Sequence, residues 1–261
     1  DRSRTDARIG VVDGEWSGRP DGEWETLQEP VRVGRALYVP TEKGPDGMLM
    51  LDVAKGTWRI APVPRYGNIQ LAGCVVDDTP LLFSIPYRGT HQSAAQDATT
   101  GKIVHTLDTT GAVIDAVPHG DGAICVTDGN EQVTVSLDGE VKTMGVKCLT
   151  RWRGRIVGGG FDGRLYVFRG GAWAPFTESV GAPVYDVTAH DDLIWFTAST
   201  PGLYVGNAAG EVKRVASFAK EKYGWFGLCL AVHDGAVHVS AKQSEGGRWR
   251  SYVYRAAESA P

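Results

Sequence analysis

The sequence predicts a single all-β domain, residues 1–261, folded as a six-bladed β-propeller of four-stranded antiparallel blades. Two observations carry this prediction. Almost no segment has helical periodicity over a useful length. A short turn followed by a strand also recurs at intervals of 32 to 45 residues, which suits four strands plus their turns. The six turns begin at Gly22, Gly56, Gly101, Gly139, Gly171 and Gly210.

Each repeat divides into short alternating runs bounded by Gly, Asp or Asn, as expected of antiparallel meanders. The fourth repeat predicts strands at 147–151, 155–158, 164–168 and 172–176. The last repeat supplies three strands, at 226–233, 236–241 and 249–255, and lacks an outer one.

The two ends of the chain are expected to close the ring. The segment Gly22–Leu27 contains an outer strand with no blade before it, so we expect it to complete the last blade and leave only short, protected edges. Seven blades are less favoured because no further inner pair of strands is found. Residues 1–20 could form an N-terminal extension or one extra strand.

Composition narrows the range of partners. The net charge of −4 arises from 27 basic and 31 acidic residues without a basic block, so no nucleic-acid partner is expected. No apolar run reaches bilayer length, which indicates a soluble protein with no membrane partner. The four cysteines form no CxxC pair and favour a cytoplasmic protein over a secreted one.

Two stretches carry a resemblance to known repeats: Ala95-Gln-Asp-Ala-Thr-Thr-Gly-Lys-Ile-Val and Val135-Ser-Leu-Asp-Gly-Glu-Val. They resemble the broad group of PQQ-like, WD-like and Kelch-like propellers. The Trp-Asp blade endings, the Kelch double-Gly pattern and the full Asp-box are absent from the sequence. The resemblance therefore implies an architecture and no particular activity.

Aligning the first strands of the repeats gives a candidate site. Counting back seven or eight residues from the start of each second strand brings three cysteines and three carboxylates to one position. In a closed ring, thiol and carboxylate would alternate around the central channel. The aligned residues are Glu29, Cys74, Asp115, Cys148, Asp186 and Cys229.

Thiolates are ligands for soft metals, so Cys74, Cys148 and Cys229 predict a copper or zinc cofactor. Glu29, Asp115 and Asp186 are the candidate catalytic groups, which could accept protons or position a substrate. Free cysteines are also small buried hydrophobes, and simple packing is the alternative for each one. Cys125 lies on a second strand and is assigned to packing.

Loops leading into the first strands of the second and sixth repeats, with one insertion, are expected to share a channel mouth and bind a small molecule. The candidate substrate-binding residues are Arg65, Tyr66, Asn68, Gln70, His91, Tyr223 and Trp225. Two functions follow from the pattern. One is a metal-binding enzyme acting on a small organic substrate at the channel. The alternative is a non-catalytic propeller that serves as a platform for a ligand or a protein partner.

Overall fold

The computed structural model describes residues 25–26, 31–39, 41–43, 48–62, 72–84, 93–107, 113–120, 122–127, 133–136, 139–142, 146–199, 202–217, 226–242 and 249–255. In these residues all regular structure is β-strand, as the sequence predicts. No helix long and apolar enough to cross a membrane occurs in the same residues.

The strands are numbered in chain order. They are β1 (Glu25–Thr26), β2 (Val31–Val33), β3 (Ala36–Val39), β4 (Thr41–Lys43), β5 (Met48–Asp52), β6 (Thr57–Ala61), β7 (Ala72–Val76), β8 (Thr79–Ser84), β9 (Ala94–Asp97), β10 (Ile103–Thr106), β11 (Val113–His119), β12 (Gly122–Thr127), β13 (Val133–Ser136), β14 (Gly139–Lys142), β15 (Val146–Trp152), β16 (Arg155–Gly160), β17 (Leu165–Arg169), β18 (Ala172–Pro175), β19 (Val184–His190), β20 (Leu193–Ala198), β21 (Gly202–Gly206), β22 (Val212–Ser217), β23 (Phe226–His233), β24 (Ala236–Lys242) and β25 (Trp249–Arg255).

β1 and β4 pair with each other, and the remaining strands form sheets in which the strand order follows the chain. Within the described residues there are five four-stranded sheets: sheet 1 (β2, β3, β5, β6), sheet 2 (β7–β10), sheet 3 (β11–β14), sheet 4 (β15–β18) and sheet 5 (β19–β22). Sheet 6 holds three strands, β23–β25. The strands predicted for the fourth and sixth repeats are confirmed to within two residues at each end.

The chain divides into two compact units. Residues 1–131 and 135–140 form one, and residues 132–134 and 141–261 form the other. Sheets 1 to 3 fall mainly in the first unit and sheets 4 to 6 in the second. In each unit the first strands of consecutive sheets pack together: β2, β7 and β11 in one, and β15, β19 and β23 in the other. The single domain over 1–261 stays a prediction.

Tight two-residue turns join the first and second strands. The turn Asp191–Asp192 has φ values of 48° and 62°, and Arg153–Gly154 has 48° and 72°. Positive φ at both positions is typical of the type I′ turn, whose twist matches that of the flanking strands. Because the turn is so short, it fixes the register of each first strand, and positions can be counted back from it.

Apolar side chains between neighbouring sheets form the core. Trp152, Val167 and Phe196 belong to one buried cluster between sheets 4 and 5. Trp195 and Val239 belong to another between sheets 5 and 6. Sheets 1 and 2 share a third, which includes Tyr38, Met50 and Leu82.

The predicted pairing of the two chain ends is not formed by the described part of the N-terminal segment. Glu25 and Thr26 of β1 pair antiparallel with Lys43 and Thr41 of β4. β4 lies close to β1 in the chain, so this pairing closes a much shorter loop than pairing with β25 would. Residues 1–24 lie outside the described residues.

Candidate functional site

A β-bulge recurs at the same place in four first strands. In each of sheets 3 to 6, the pairing between the first and second strands shifts register near the start of the first strand. The residue that follows the shift lies four positions before the end of that strand. Those residues are Asp115, Cys148, Asp186 and Cys229. The predicted equivalence of these four positions is confirmed, and a bulge is a frequent device for directing a side chain at a functional or structural site.

Cys74 does not share this position, and its predicted alignment is wrong. It pairs with Leu81 and lies only two residues before Val76, the last residue of β7. Ala72 occupies the position equivalent to Cys148. The error arises because β8 begins at Thr79 and contains Pro80, although a proline within a run of residues argues against a central strand.

The two described carboxylates bind backbone amides. Asp115 Oδ1 accepts a hydrogen bond from its neighbour Ala116 N at 2.8 Å, and Asp186 Oδ1 accepts one from Val187 N at 2.8 Å. Asp186 Oδ2 also accepts from Leu230 N of β23, at 2.6 Å. Asp186 thus ties the first strand of sheet 5 to the first strand of sheet 6. Hydrogen bonds to a charged acceptor are among the stronger ones in proteins.

The thiols of the first unit lie in an apolar setting. Cys74 is buried, and this burial, with a smaller effect of the Asp115 carboxylate, raises its pKa to about 12. Burial also raises the pKa of Cys125 well above its usual value, with added effects of Cys74 and Asp115. Both are therefore protonated thiols at neutral pH, whereas nucleophiles and metal ligands are thiolates. Cys125 is fully buried, as its packing assignment predicts.

Cys148 fills a gap between sheets 4 and 5. It is buried and pairs across the strand with Gly159. A Cβ on Gly159 would lie 2.7 Å from Cys148 Sγ and closer still to Val184 Cγ1. The thiol thus occupies the volume that the glycine leaves open. Cys229, at the same position of sheet 6, is only partly buried.

In the part of the chain that the structure describes, no three His, Cys, Asp or Glu side chains gather closely enough to hold a metal ion. Glu29 and the seven predicted mouth residues Arg65, Tyr66, Asn68, Gln70, His91, Tyr223 and Trp225 lie outside the described residues. The predicted ring is therefore wrong at Cys74. The place of Glu29 in it, the copper or zinc and the mouth site stay predictions.

A cationic and aromatic cluster in the second unit was missed by the sequence reasoning. Lys147 Nζ lies 4.1 Å from the ring centroid of Tyr185 and 5.9 Å from that of Phe161. Phe161, in the turn between β16 and β17, leaves 47% of its surface exposed. Partial burial lowers the pKa of Lys147, and nearby Cys148 partly offsets this. We call these three residues the Lys147 cluster.

The cluster follows from the aligned strands. Lys147 and Tyr185 immediately precede the bulge residues Cys148 and Asp186, so they occupy equivalent positions on neighbouring first strands. Phe161 follows Gly160, which pairs with Val146 at the same end of sheet 4. The sequence contains one sign of this cluster, namely an aromatic residue, Phe161, placed between two glycines and an aspartate.

The second unit also contains an open groove of about 890 Å³ between sheets 4 and 5. It runs from the loop after β18 to the β21–β22 turn, and none of its lining residues belongs to β15 or β19. Both charge signs and apolar side chains line it. Its walls include Arg164, Phe176, Glu178, Tyr204, Glu211 and Arg214.

No known family and no curated protein matches this sequence. Solved structures match it in fold. BamB from Moraxella catarrhalis has a TM-score of 0.58 at 14% identity, over 93% of this chain and 73% of its own. The Pan2 WD40 domain of Neurospora crassa has 0.58 at 11%, over 90% and 76%. Saccharomyces cerevisiae Sqt1 has 0.57 at 11%, over 88% and 73%.

At such low identities the likeness concerns the fold and carries no activity. It agrees with the consecutive four-stranded antiparallel sheets, whose first strands pack together in each unit. The chain is therefore an all-β propeller built from four-stranded antiparallel sheets.

Proposed function

We propose that this protein is a non-catalytic binding propeller that captures an acidic segment of a protein partner at the Lys147 cluster. The observation that carries the proposal is the position of Lys147 between an exposed phenylalanine and a tyrosine. Aromatic residues are enriched at the energetic centres of protein interfaces, where they bury large areas with few rotatable bonds.

The chemistry of Lys147 favours an anionic partner. Its ammonium group is partly buried, which lowers the pKa of Lys147, and two aromatic rings lie beside it. A carboxylate from a partner would pair with the ammonium while its neighbouring side chains contact Phe161. The cluster is thus suited to an acidic segment that also carries apolar residues.

The first-strand groups are less suited to catalysis. Both oxygens of Asp186 already accept backbone hydrogen bonds, and Cys74 is a protonated thiol at neutral pH. The hydrogen bonds tie the Asp186 carboxylate to the backbone of two strands, and a protonated thiol is a weak nucleophile, so both groups are better explained by structural roles. The copper- or zinc-dependent enzyme stays the second candidate, and its support is the shared bulge position of Cys148 and Cys229.

The proposal includes six blades in a closed ring. Its support is the series of five four-stranded sheets and the three-stranded sheet 6 among the described residues. The same proposal includes closure of the ring by pairing of the N-terminal and C-terminal segments.

The test begins with a display library of random dodecapeptides selected on the full chain. Recovered peptides should be rich in Asp and Glu, and their Kd, measured by calorimetry, should rise about tenfold on Lys147→Ala, equivalent to about 1.4 kcal/mol. Phe161→Ala should weaken binding by a smaller factor. Lys213→Ala, which removes an exposed lysine from β22, is the matched control and should leave Kd unchanged. Equal affinity of Lys147→Ala and wild type would refute the proposal.

A further inference from the structure

The groove between sheets 4 and 5 has an apolar floor and two carboxylates in its walls. Phe176, Val180 and Val212 line it, and all three are partly buried side chains that pack against the apolar cluster between the two sheets. Glu178 and Glu211 also line it, and both are exposed. The groove thus offers apolar surface beside solvated negative charge.

The two glutamates belong to the same part of the groove. Gly210, in the β21–β22 turn, has a φ of 83°, and a Cβ built on it would collide with Phe176 O. The turn therefore lies directly against the residue that follows β18. Glu211 follows Gly210, and Glu178 lies two residues after Phe176. Because consecutive Cα atoms are only about 3.8 Å apart, both glutamates lie near this contact.

The arginines of the groove are held by other groups of the protein. Arg164 Nη1 lies 3.1 Å from Asp162 Oδ2, so a carboxylate already balances its charge. The guanidinium of Arg214 lies 5.8 Å from the ring centroid of Tyr204, and its Nε donates a hydrogen bond to Ala216 O at 3.4 Å. Contacts within sheet 4 and sheet 5 thus orient the two arginines.

The two carboxylates have no cation of the described residues as a partner. In that part of the chain Glu178 forms no hydrogen bond or ion pair, and the Glu211 carboxylate accepts one hydrogen bond, from Asn207 Nδ2 at 2.6 Å. Since Asp162 balances Arg164, two carboxylates and one guanidinium remain in the groove. The groove therefore has a net negative charge.

We infer that the groove binds a basic segment of a protein partner, with an arginine side chain along the floor and its guanidinium between Glu178 and Glu211. Long basic side chains cover apolar surface with their aliphatic stems while the charged head stays at the polar edge. Arginine suits the site better than lysine. Its planar, weakly hydrated guanidinium stacks on aromatic faces such as that of Phe176, and it pairs well with carboxylates.

The size of the groove favours a segment of a chain over a single small cation. Its volume of about 890 Å³ is near the upper end of the range for sites that enclose a whole drug-sized ligand. One arginine side chain would fill only a part of it, which leaves room for neighbouring residues of the segment. The site is separate from the Lys147 cluster, whose three residues do not line the groove.

The test pans a random dodecapeptide library on the full wild-type chain, with an excess of Glu178→Gln/Glu211→Gln protein in solution as a competitor. The competitor keeps the Lys147 cluster, so it removes peptides that bind outside the groove. Both substitutions lie at exposed positions, and a thermal melt checks that the fold is kept. The matched control is Asp191→Asn/Asp234→Asn. It removes two exposed carboxylates from turn positions whose positive φ asparagine tolerates.

We expect the recovered peptides to contain arginine and to bind the double Gln variant about tenfold more weakly in calorimetry. Their Kd for the control and for Lys147→Ala should equal that for wild type. Replacing the peptide's arginine by citrulline, a neutral isostere, should weaken binding to wild type by a similar factor. The same replacement should change binding to the Gln variant by less than about twofold, because the carboxylates that pair with the guanidinium are gone.

Several results would overturn the inference. They are a selection that yields no peptide with a basic residue, equal affinity for wild type and the Gln variant, and an equal cost of citrulline in both proteins. A similar loss in Lys147→Ala would place the peptides on the Lys147 cluster instead. Argininamide that binds as tightly as the peptides would assign the groove to a small cation and contradict a protein partner.

Discussion

The same bulge position does different work in neighbouring sheets of the second unit. In sheet 5 it holds Asp186, whose carboxylate accepts amide hydrogen bonds from its own strand and from β23. In sheet 4 it holds Cys148, a buried thiol that fills the space above Gly159. A residue pattern that suggests one shared site can therefore arise from two separate structural needs: an acceptor for backbone amides, and a small apolar filler.

The largest effect should come from removing the acceptor. Asp186→Ala leaves the amides of Val187 and Leu230 without their carboxylate and should lower the free energy of unfolding by about 3 kcal/mol. Asp186→Asn keeps one oxygen and should cost less. Urea denaturation measures both. A loss below about 0.5 kcal/mol for the alanine variant would show that these two amides do not depend on the Asp186 carboxylate.

A somewhat smaller effect should come from filling the space beside the thiol. Gly159→Ala places a Cβ against Cys148 and Val184 and should cost about 2 kcal/mol through overpacking. The same change in a Cys148→Ala background should cost less, because one of the two contacts is gone. Equal costs in both backgrounds would show that the Cys148 thiol does not fill this space.

The raised pKa of the Cys74 thiol should make the free energy of unfolding depend on pH in the alkaline range. Its pKa of about 12 in the folded chain exceeds the ordinary value of 9.0, so unfolded chains lose this proton first as pH rises. The contribution of protonated Cys74 to folding stability is complete below pH 9.0 and is lost between pH 9.0 and about 12. Compared with Cys74→Ala, wild type should lose more stability over that range in urea titrations. Parallel pH curves would contradict a buried, protonated Cys74.

The smallest effect is expected for Asp192, an exposed aspartate, when it is replaced by asparagine in the same way as Asp186. Asp192 Oδ1 accepts from Arg153 Nε at 3.1 Å, and both side chains are well exposed. Asp192→Asn should change the free energy of unfolding by no more than about 0.5 kcal/mol, because solvent screens such pairs. Urea denaturation of both Asn variants sharpens the contrast. A larger loss of unfolding free energy for Asp192→Asn than for Asp186→Asn would show that the exposed ion pair matters more than the backbone acceptor.

Much of the fold was predictable because the turns are explicit in the sequence. Short turns such as Arg153–Gly154 and Asp234–Gly235 set the register of their hairpins, and the alignment of Cys148 with Cys229 follows from them. Cys74 was misplaced because Pro80 hides the true start of β8. The pairing of β1 with β4 was missed because both strands are too short to show alternation.

The candidate site was harder to predict, because its groups meet only in the folded chain. Lys147, Phe161 and Tyr185 come from two strands and a turn, and no sequence motif joins them. The amide acceptors of Asp186 were hidden for a different reason. A carboxylate that binds the backbone of a neighbouring strand looks the same in sequence as one that faces a substrate.

We infer that the first-strand thiols and carboxylates hold the sheets together and that the protein binds a partner without a metal. Elemental analysis of protein purified without an affinity tag tests it most directly, with the Cys74→Ser/Cys148→Ser/Cys229→Ser variant alongside. We expect far less than one copper or zinc per chain in both proteins, also after anaerobic reconstitution with each metal. About one ion per chain in wild type, lost in the variant, would instead establish a thiolate metal site.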